Sequence, residues 1–407
     1  MAKPEIRLKG FEEDWESYLL GEVGFTISGV GFPDKEQGGL SGIPFYKVSD
    51  MNIEGNEFVM QSSNNYVTRN QIKKNNWKVC EKPALIFAKV GAAVLLNRKR
   101  LVLSPCICDN NTMLFCFDES KWEPYFCLSL FQKVNLASLA QTSSLPSYNG
   151  TMVEGLSVYI PNDFAEQEYC ANFFKFLDSI IQSTTKKIES LKQMKSACLV
   201  SMFPQAGETT PRMRFKGFEG EWKCLPMSEI FIERHDISTI TDNLPQLSFT
   251  IEEGVIRPED RKTNKRDFLI KDKTNKRYLV TCMDDIIYNP ANVIYGAIHK
   301  NSLCDGVVSP IYKIFYTLQD PSFMECVVRR PEFIKEMTIY MEGTVQKLRT
   351  LKPEAFLKMS AYIAPSLEEQ KKIGDYFRSL DKQISLQKQR LEKLKQVKAA
   401  CLDKMFV

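Results

Sequence analysis

At 407 residues, with 43% hydrophobic and 26% charged side chains, the chain has the composition of an ordinary globular protein and room for two or three domains. Its net charge of +4, from 54 basic and 50 acidic residues, is weakly basic and does not by itself call for a nucleic-acid partner. The apolar runs are too short for a membrane span, Met1 to Glu5 contain no apolar signal core, and the twelve cysteines form neither a regular framework nor a CxxC pair. A reducing, cytoplasmic setting is expected.

The chain opens with the stretch Pro4 to Trp15, containing Arg7, Lys9, Gly10, Phe11 and Glu12. The body that follows, from about Glu16 to Gly155, reads as short strands and loops. Ile43–Val48 and Ala84–Val90 are expected strands, and Gly91 a tight turn. Val94–Leu103 reads as a hairpin whose two apolar arms are joined by Asn97, Arg98, Lys99 and Arg100. That basic tip is either a solvated turn or a finger that meets phosphates and base edges in a DNA groove. Gln141 to Gly150 is a polar loop. From Ser157 the sequence enters a long amphipathic helix running from Glu166 to Phe203, with an apolar seam at Cys170, Phe174, Leu177, Ile181, Ile188 and Leu191. Such a helix spans roughly 57 Å at about 1.5 Å per residue, which suits a strut better than a core element. Its seam is interrupted by Thr184, and beyond Leu191 the phase is expected to slip to Met194 and Cys198.

Pro204 to Pro211 has the composition of a linker. Pro211 to Trp222 then repeats the opening stretch at an offset of 207, with Arg214, Lys216, Gly217, Phe218 and Glu219 in matching places. The second body is largely different in sequence. Arg257–Arg277 reads as a charged loop or exposed hairpin, Asp284–Pro290 follows, and Gly306–Phe315 as one strand begun by a turn. Gly343–Arg349 stands before the second helix much as the Gln141 loop stands before the first. It supplies two cations and a glutamine for phosphate and base contact, or is a plain surface loop. The second long helix repeats the first at an offset of 203, from Ser360 through Glu369-Gln370 to Met405-Phe406. Its seam is Ile373, Phe377, Leu380, Ile384, Leu391 and Leu394, with Gln387 at the level of Thr184 and the slip repeated at Val397 and Cys401. Cys198 and Cys401, equivalent in the two seams, are expected core residues. The chain is thus a tandem duplication of opening motif, variable body and long helix. Shared ends and diverged bodies suit one frame with two specificities.

Catalytic patterns are scarce. His235 and His299 are the only histidines, against a histidine triad or a His-rich metal site. There is no GxxxxGK[ST] loop and no GxGxxG after a strand. Asn289-Pro290-Ala291-Asn292 lacks the second proline and stacking aromatic of an amino-methyltransferase motif. Glu259, Asp260 and Lys262 do not form a convincing nuclease site.

The two opening motifs, the Glu-Gln-headed helices, Phe87–Gly91, Tyr288-Asn289-Pro290 and Val308–Tyr312 together resemble the specificity (S) subunit of Type I restriction-modification systems, across essentially the whole chain. The resemblance implies a mixed α/β (α+β) fold. Two globular target-recognition domains are joined by two antiparallel coiled-coil helices, in a tandem pseudo-symmetric duplication. The corresponding boundaries are 1–156 for the first recognition domain, 157–203 for the first spacer helix with its lead-in, 204–359 for linker and second recognition domain, and 360–407 for the second spacer helix with its lead-in. It further implies a non-catalytic subunit in which each domain reads half of a split double-stranded DNA site and the helices dock two methyltransferase subunits. S-adenosylmethionine would then sit on the methyltransferase, and ATP and Mg on restriction (R) motor-nuclease subunits, with no metal in this chain. Candidate DNA contacts are Lys89, Asn97, Arg98, Lys99, Arg100, Gln141, Tyr148, Asn149, Asn289, Lys300, Tyr312, Gln346, Lys347 and Arg349.

The alternatives are a coiled-coil interaction scaffold without a DNA role, a self-contained enzyme with an unrecognised site, and the specificity subunit of a related split-site methyltransferase-nuclease system. The strut reading makes its own prediction. Inserting four residues, about one helical turn, near Phe203 should change the gap between half-sites and leave both half-sites unchanged, as read from a map of methylated adenines. An altered half-site with an unchanged gap would contradict it.

Overall fold

The computed structural model describes residues 3–140, 145–261, 277–342 and 349–407. The chain divides into two compact units, residues 1–186 with 389–407, and residues 187–388. These units differ from the contiguous segments drawn from the sequence, because each long helix belongs to both. The first helix, Phe164–Ser201, passes from one unit into the other, and so does the second, Leu367–Met405.

Each unit is closed by the same clamp. In the first, strand Glu16–Leu19 pairs antiparallel with Ser157–Ile160, Glu16 opposite Ile160. In the second, Lys223–Pro226 pairs with Ser360–Ile363, Lys223 opposite Ile363. These short ladders bring each opening motif to the head of a long helix. There the Arg7 guanidinium donates through Nε and Nη2 to the two oxygens of Glu166, both at 2.7 Å. Arg214 donates to Glu369 in the same way at 2.6 and 2.8 Å. Both glutamates are buried. A fork-to-fork arginine–carboxylate pair is the geometry in which a buried charge is best satisfied. The copies differ at the tryptophan: the Trp15 indole N–H donates to Glu166 at 3.2 Å, while that of Trp222 is buried and has no hydrogen-bond partner among the described residues.

The adjoining glutamine ties in the body. Gln167 accepts from the Glu123 N–H at 2.9 Å and donates to the Lys121 carbonyl at 2.8 Å. Gln370 accepts from the Asp320 N–H at 3.0 Å and donates to Ala364 O at 2.9 Å. Glu123 and Asp320 cap the helices Pro124–Lys133 and Pro321–Val328, each with proline in its first turn. Phe406 fills the aromatic core of the first unit among Trp15, Phe126 and Phe174 at centroid distances of 6.0, 5.3 and 5.5 Å. Phe203 does the same in the second unit with Trp222, Phe323 and Phe377 at 5.7, 5.6 and 6.1 Å.

Within each unit the two helix segments run antiparallel. The expected phase slip is absent. The inward positions of the second helix keep a four-three spacing throughout: Ile373, Phe377, Leu380, Ile384, Gln387, Leu391, Leu394, Lys398, Cys401 and Met405. Val397 and Met194, assigned to the seam, are 49% and 41% exposed. Lysines take their place. Lys398 pairs with the buried carboxylate of Asp178, which also accepts from the Tyr125 hydroxyl at 2.9 Å, and its ammonium lies 4.8 Å from the Phe58 ring. The equivalent Lys195 pairs with Asp381 at 2.5 Å, in a more exposed setting. A lysine reads as polar in a hydropathy pattern, so a regular heptad looked like a stutter.

The two bodies share a topology that their sequences conceal. The first has a four-stranded antiparallel sheet in the order Gly24–Ser28, Thr112–Phe117, Ala84–Ala88, Lys99–Val102. The second has the order Phe231–Glu233, Lys313–Thr317, Ile286–Tyr288, Ile298–Lys300. In both, the third strand of the sheet leads through a short 3-10 turn to the fourth. Two expectations change here. Gly306–Phe315 is two strands, Gly306–Val308 and Lys313–Thr317, in different sheets, with the turn between them. Val94–Leu103 is not a hairpin with a basic tip: Ala92–Leu96 forms the 3-10 turn, and Lys99–Val102 pairs with Ala84–Ala88. The strands at Ile43–Tyr46 and Ala84–Ala88 fall where the sequence placed them.

Removing one partner of a buried ion pair leaves the other unsatisfied, typically at about 3–5 kcal/mol. Glu166→Ala should therefore destabilise the protein by about 3 kcal/mol in urea unfolding, and the double variant R7M/E166M should recover part of the loss. An E166A protein within about 0.5 kcal/mol of the parent would remove the clamp from the account of stability.

Candidate nucleic-acid interface

In the first body the C-terminal end of strand Ala84–Ala88 meets the loop that precedes the first long helix. The Gly91 N–H donates to Pro146 O at 2.8 Å, and the Tyr148 N–H to Lys89 O at 3.2 Å. The buried Tyr148 hydroxyl donates to Ala88 O at 2.6 Å, and burial raises its pKa. Gly91, at φ 85°, makes the turn that a side chain would strain. Lys89 is thereby set beside Tyr148, half-buried. Asn149 accepts from the Met152 N–H at 3.0 Å and caps the helix Gly150–Glu154.

The second body repeats the junction with the tyrosine on the other side. The Tyr288 hydroxyl, at the strand end, donates to Leu351 O at 3.1 Å, and the Leu351 N–H donates to Pro290 O at 3.0 Å. Asn289 accepts from the Ala291 N–H at 3.0 Å, an Asx turn that gives this asparagine a structural part. A groove of about 770 Å³ opens beside it, lined among others by His235, Asn289, Lys313, Thr350 and Lys352. Arg349 stands exposed at the start of this strand-facing segment. Gln141, Gln346 and Lys347 lie outside the described residues.

Other candidates from the sequence, Arg98 excepted, are buried or half-buried in the fold. Lys99, 4% exposed, donates its amine to Val134 O at 2.6 Å, and burial lowers its pKa to about 7. Asn97, in the left-handed region at φ 50°, accepts from the Leu136 N–H and donates to Val134 O. Burial, then Arg98, lowers Arg100 to about 10. Arg98 reaches Asn52 at the surface. Lys300 is buried and bonded to Asp284 at 2.5 Å, and Tyr312 is buried against Phe249 at 5.2 Å. Strand pairing turned Lys99 and Lys300 inward, which a run of cations in the sequence does not reveal.

One segment was missed. Residues 69–82 hold Arg69, Lys73, Lys74, Lys78 and Lys82 against the single acid Glu81. A running charge count marks it as one of several basic stretches, with a net charge of +4. Most of it forms the helix Arg69–Asn75 and the exposed turn behind it.

Two units with one clamp, one sheet topology and different loops at the same strand ends define a duplicated protein built on shared helices. Residues 12–193 match the family model described as the Type I restriction modification DNA specificity domain. The structure aligns with the S subunit of a Type I restriction-modification system from M. genitalium at TM-score 0.64 and 12% identity, covering 100% of this chain and 99% of that one. An HsdS subunit from Thermoanaerobacter tengcongensis aligns at TM-score 0.42 and 14% identity over 100% and 99% of the two chains. A chain from a study of type I R-M complex assembly aligns at 0.48 and 15% over 97% and 98%. Residues 12–193 are thus similar to a Type I restriction modification DNA specificity domain, and the whole chain has the fold of the M. genitalium S subunit.

The buried Lys99 has a measurable signature. Its amine is neutral in the folded state above about pH 7 but charged in the unfolded chain up to its ordinary 10.5. Unfolding in that window takes up a proton, so this residue makes stability rise with pH between the two values, and below pH 7 its full cost is present. Lys99→Met should remove a slope of up to about 1.4 kcal/mol per pH unit between pH 7 and 9. Parallel urea-unfolding stabilities of the two proteins across that range would contradict the internal placement.

Proposed function

We propose that each half of the chain reads one half of a bipartite duplex DNA site, and that the two long helices fix the gap and dock two methyltransferase subunits. One observation carries the reading: the same sheet and the same strand-end junction occur twice, each presenting different side chains. Lys89, Tyr148 and Asn149 mark this junction in the first half, and Asn289, Lys313 and Arg349 in the second. Phosphate contacts would set the register, and base contacts the sequence. The chain would be non-catalytic and act in the cytoplasm. Adenine methylation would use S-adenosylmethionine on the partner, and cleavage ATP and Mg on R subunits. Among the described residues no group of three or more His, Cys, Asp or Glu is placed to hold a metal ion, and no helix is long and apolar enough to cross a membrane.

The experiment is a map of methylated adenines in cells expressing this chain with its methyltransferase. A two-part motif with a fixed gap, absent without this chain, is the expected result. No new methylation from a soluble complex would sink the reading. Arg349→Ala should weaken binding or relax one position of the second half-site, at about 1–3 kcal/mol for a base contact. An unchanged affinity and motif would remove Arg349 from the interface.

A further inference from the structure

The helix Arg69–Asn75 has a sharply divided surface. Its start is fixed by a reciprocal cap between Thr68 and Gln71, at 2.9 Å for the Thr68 N–H and 3.3 Å for the Gln71 N–H. It ends at Asn76 in the left-handed region, φ 50°. Behind it Trp77 packs on Phe45 and Phe32 at 5.0 and 5.8 Å. Gln71 and Lys74 are both spent on the buried carboxylate of Glu36, at 3.0 and 2.9 Å. The outer face is left with Arg69 and Lys73, and the segment behind the helix with Lys78, all exposed, whose side chains have no hydrogen bond or ion pair among the described residues. Arg69 and Lys73 are one turn apart, so their like charges repel in the free protein.

These two cations also line a groove of about 550 Å³ whose floor is apolar, from Ile43, Ile72, Val79 and Pro105, with Glu81 its one acidic side chain. Cations over an apolar floor suit a sugar-phosphate strand, with phosphates on the charges and deoxyribose on the floor. We infer that this ridge binds the phosphate backbone of the duplex whose half-site the first unit reads. The inference rests on the function proposed above and adds a contact surface distinct from the strand-end junction. Bonds to phosphate carry no sequence information, so the ridge supplies affinity and register.

The test uses the complex with its methyltransferase, a duplex carrying the methylated motif, and an unrelated duplex of equal length, titrated from low to high salt. The triple variant R69Q/K73Q/K78Q should bind both duplexes at least about tenfold more weakly at 0.1 M salt. The slope of log affinity against log salt should shrink by about 2.7, three phosphates at about 0.9 each. The methylated motif should stay the same. R69K/K73R/K78R, which keeps the charges, should retain both affinity and slope. An unchanged slope in the glutamine variant would overturn the inference while leaving the specificity reading intact. A changed first half-site at constant slope would make the ridge a base reader, and loss of methyltransferase binding instead of DNA binding would make it a protein-docking face. A parent complex that bound neither duplex would overturn both readings.

Discussion

The fold depends on a buried arginine–glutamate pair that occurs twice. Arg7 with Glu166 and Arg214 with Glu369 join the first residues of each half to the head of its long helix, 159 and 155 residues away. Such a pair stabilises only if both charges are fully satisfied. The bidentate geometry does this, and the neighbouring glutamine extends the tie to the cap of the next helix. Each body is therefore held at both ends by residues outside it, and its surface sequence is free to change without loosening the frame.

The long helices follow the same division. Their seam is apolar over most of its length, with one lysine in each copy turned inward onto an aspartate of the other helix. In the first unit the Asp178–Lys398 pair is enclosed by Tyr125 and Phe58, whereas in the second Asp381 is about half exposed. Burial raises the pKa of Asp178 and lowers that of Lys398, so each charge depends on the other. A charged pair at one level of a seam penalises any shifted register, in which both groups would be buried alone. The seams thus give up some stability to hold a single alignment.

In the recognition bodies the two halves reach one arrangement by different bonds. Tyr148 reaches from loop to strand, and Tyr288 from strand to loop. The strand order is the same although hardly a residue is shared, because a sheet needs only alternating burial and turns at the right spacing. Cations that looked available in the sequence, Lys99 and Lys300 above all, were drawn inside by strand pairing. Those of the helix Arg69–Asn75 stayed outside because its inner face already had partners.

The sequence by itself determined the duplication, the paired opening motifs, the two long helices and most of their seams, and through them a family resemblance. These are repeated or periodic signals, and they depend only on residues near one another or at a fixed offset. Only the tertiary structure decided what each motif is for. It decided that the Glu-Gln head is a clamp, that the apparent stutter is a lysine within an unbroken heptad, and that the two unlike bodies each carry a sheet of the same topology. It also decided which charged side chains face solvent. The physical reason is common to all four. Whether a polar group is buried, paired or exposed depends on partners far away in the chain, such as Asp178 for Lys398 or Val134 for Lys99, and no local pattern encodes them.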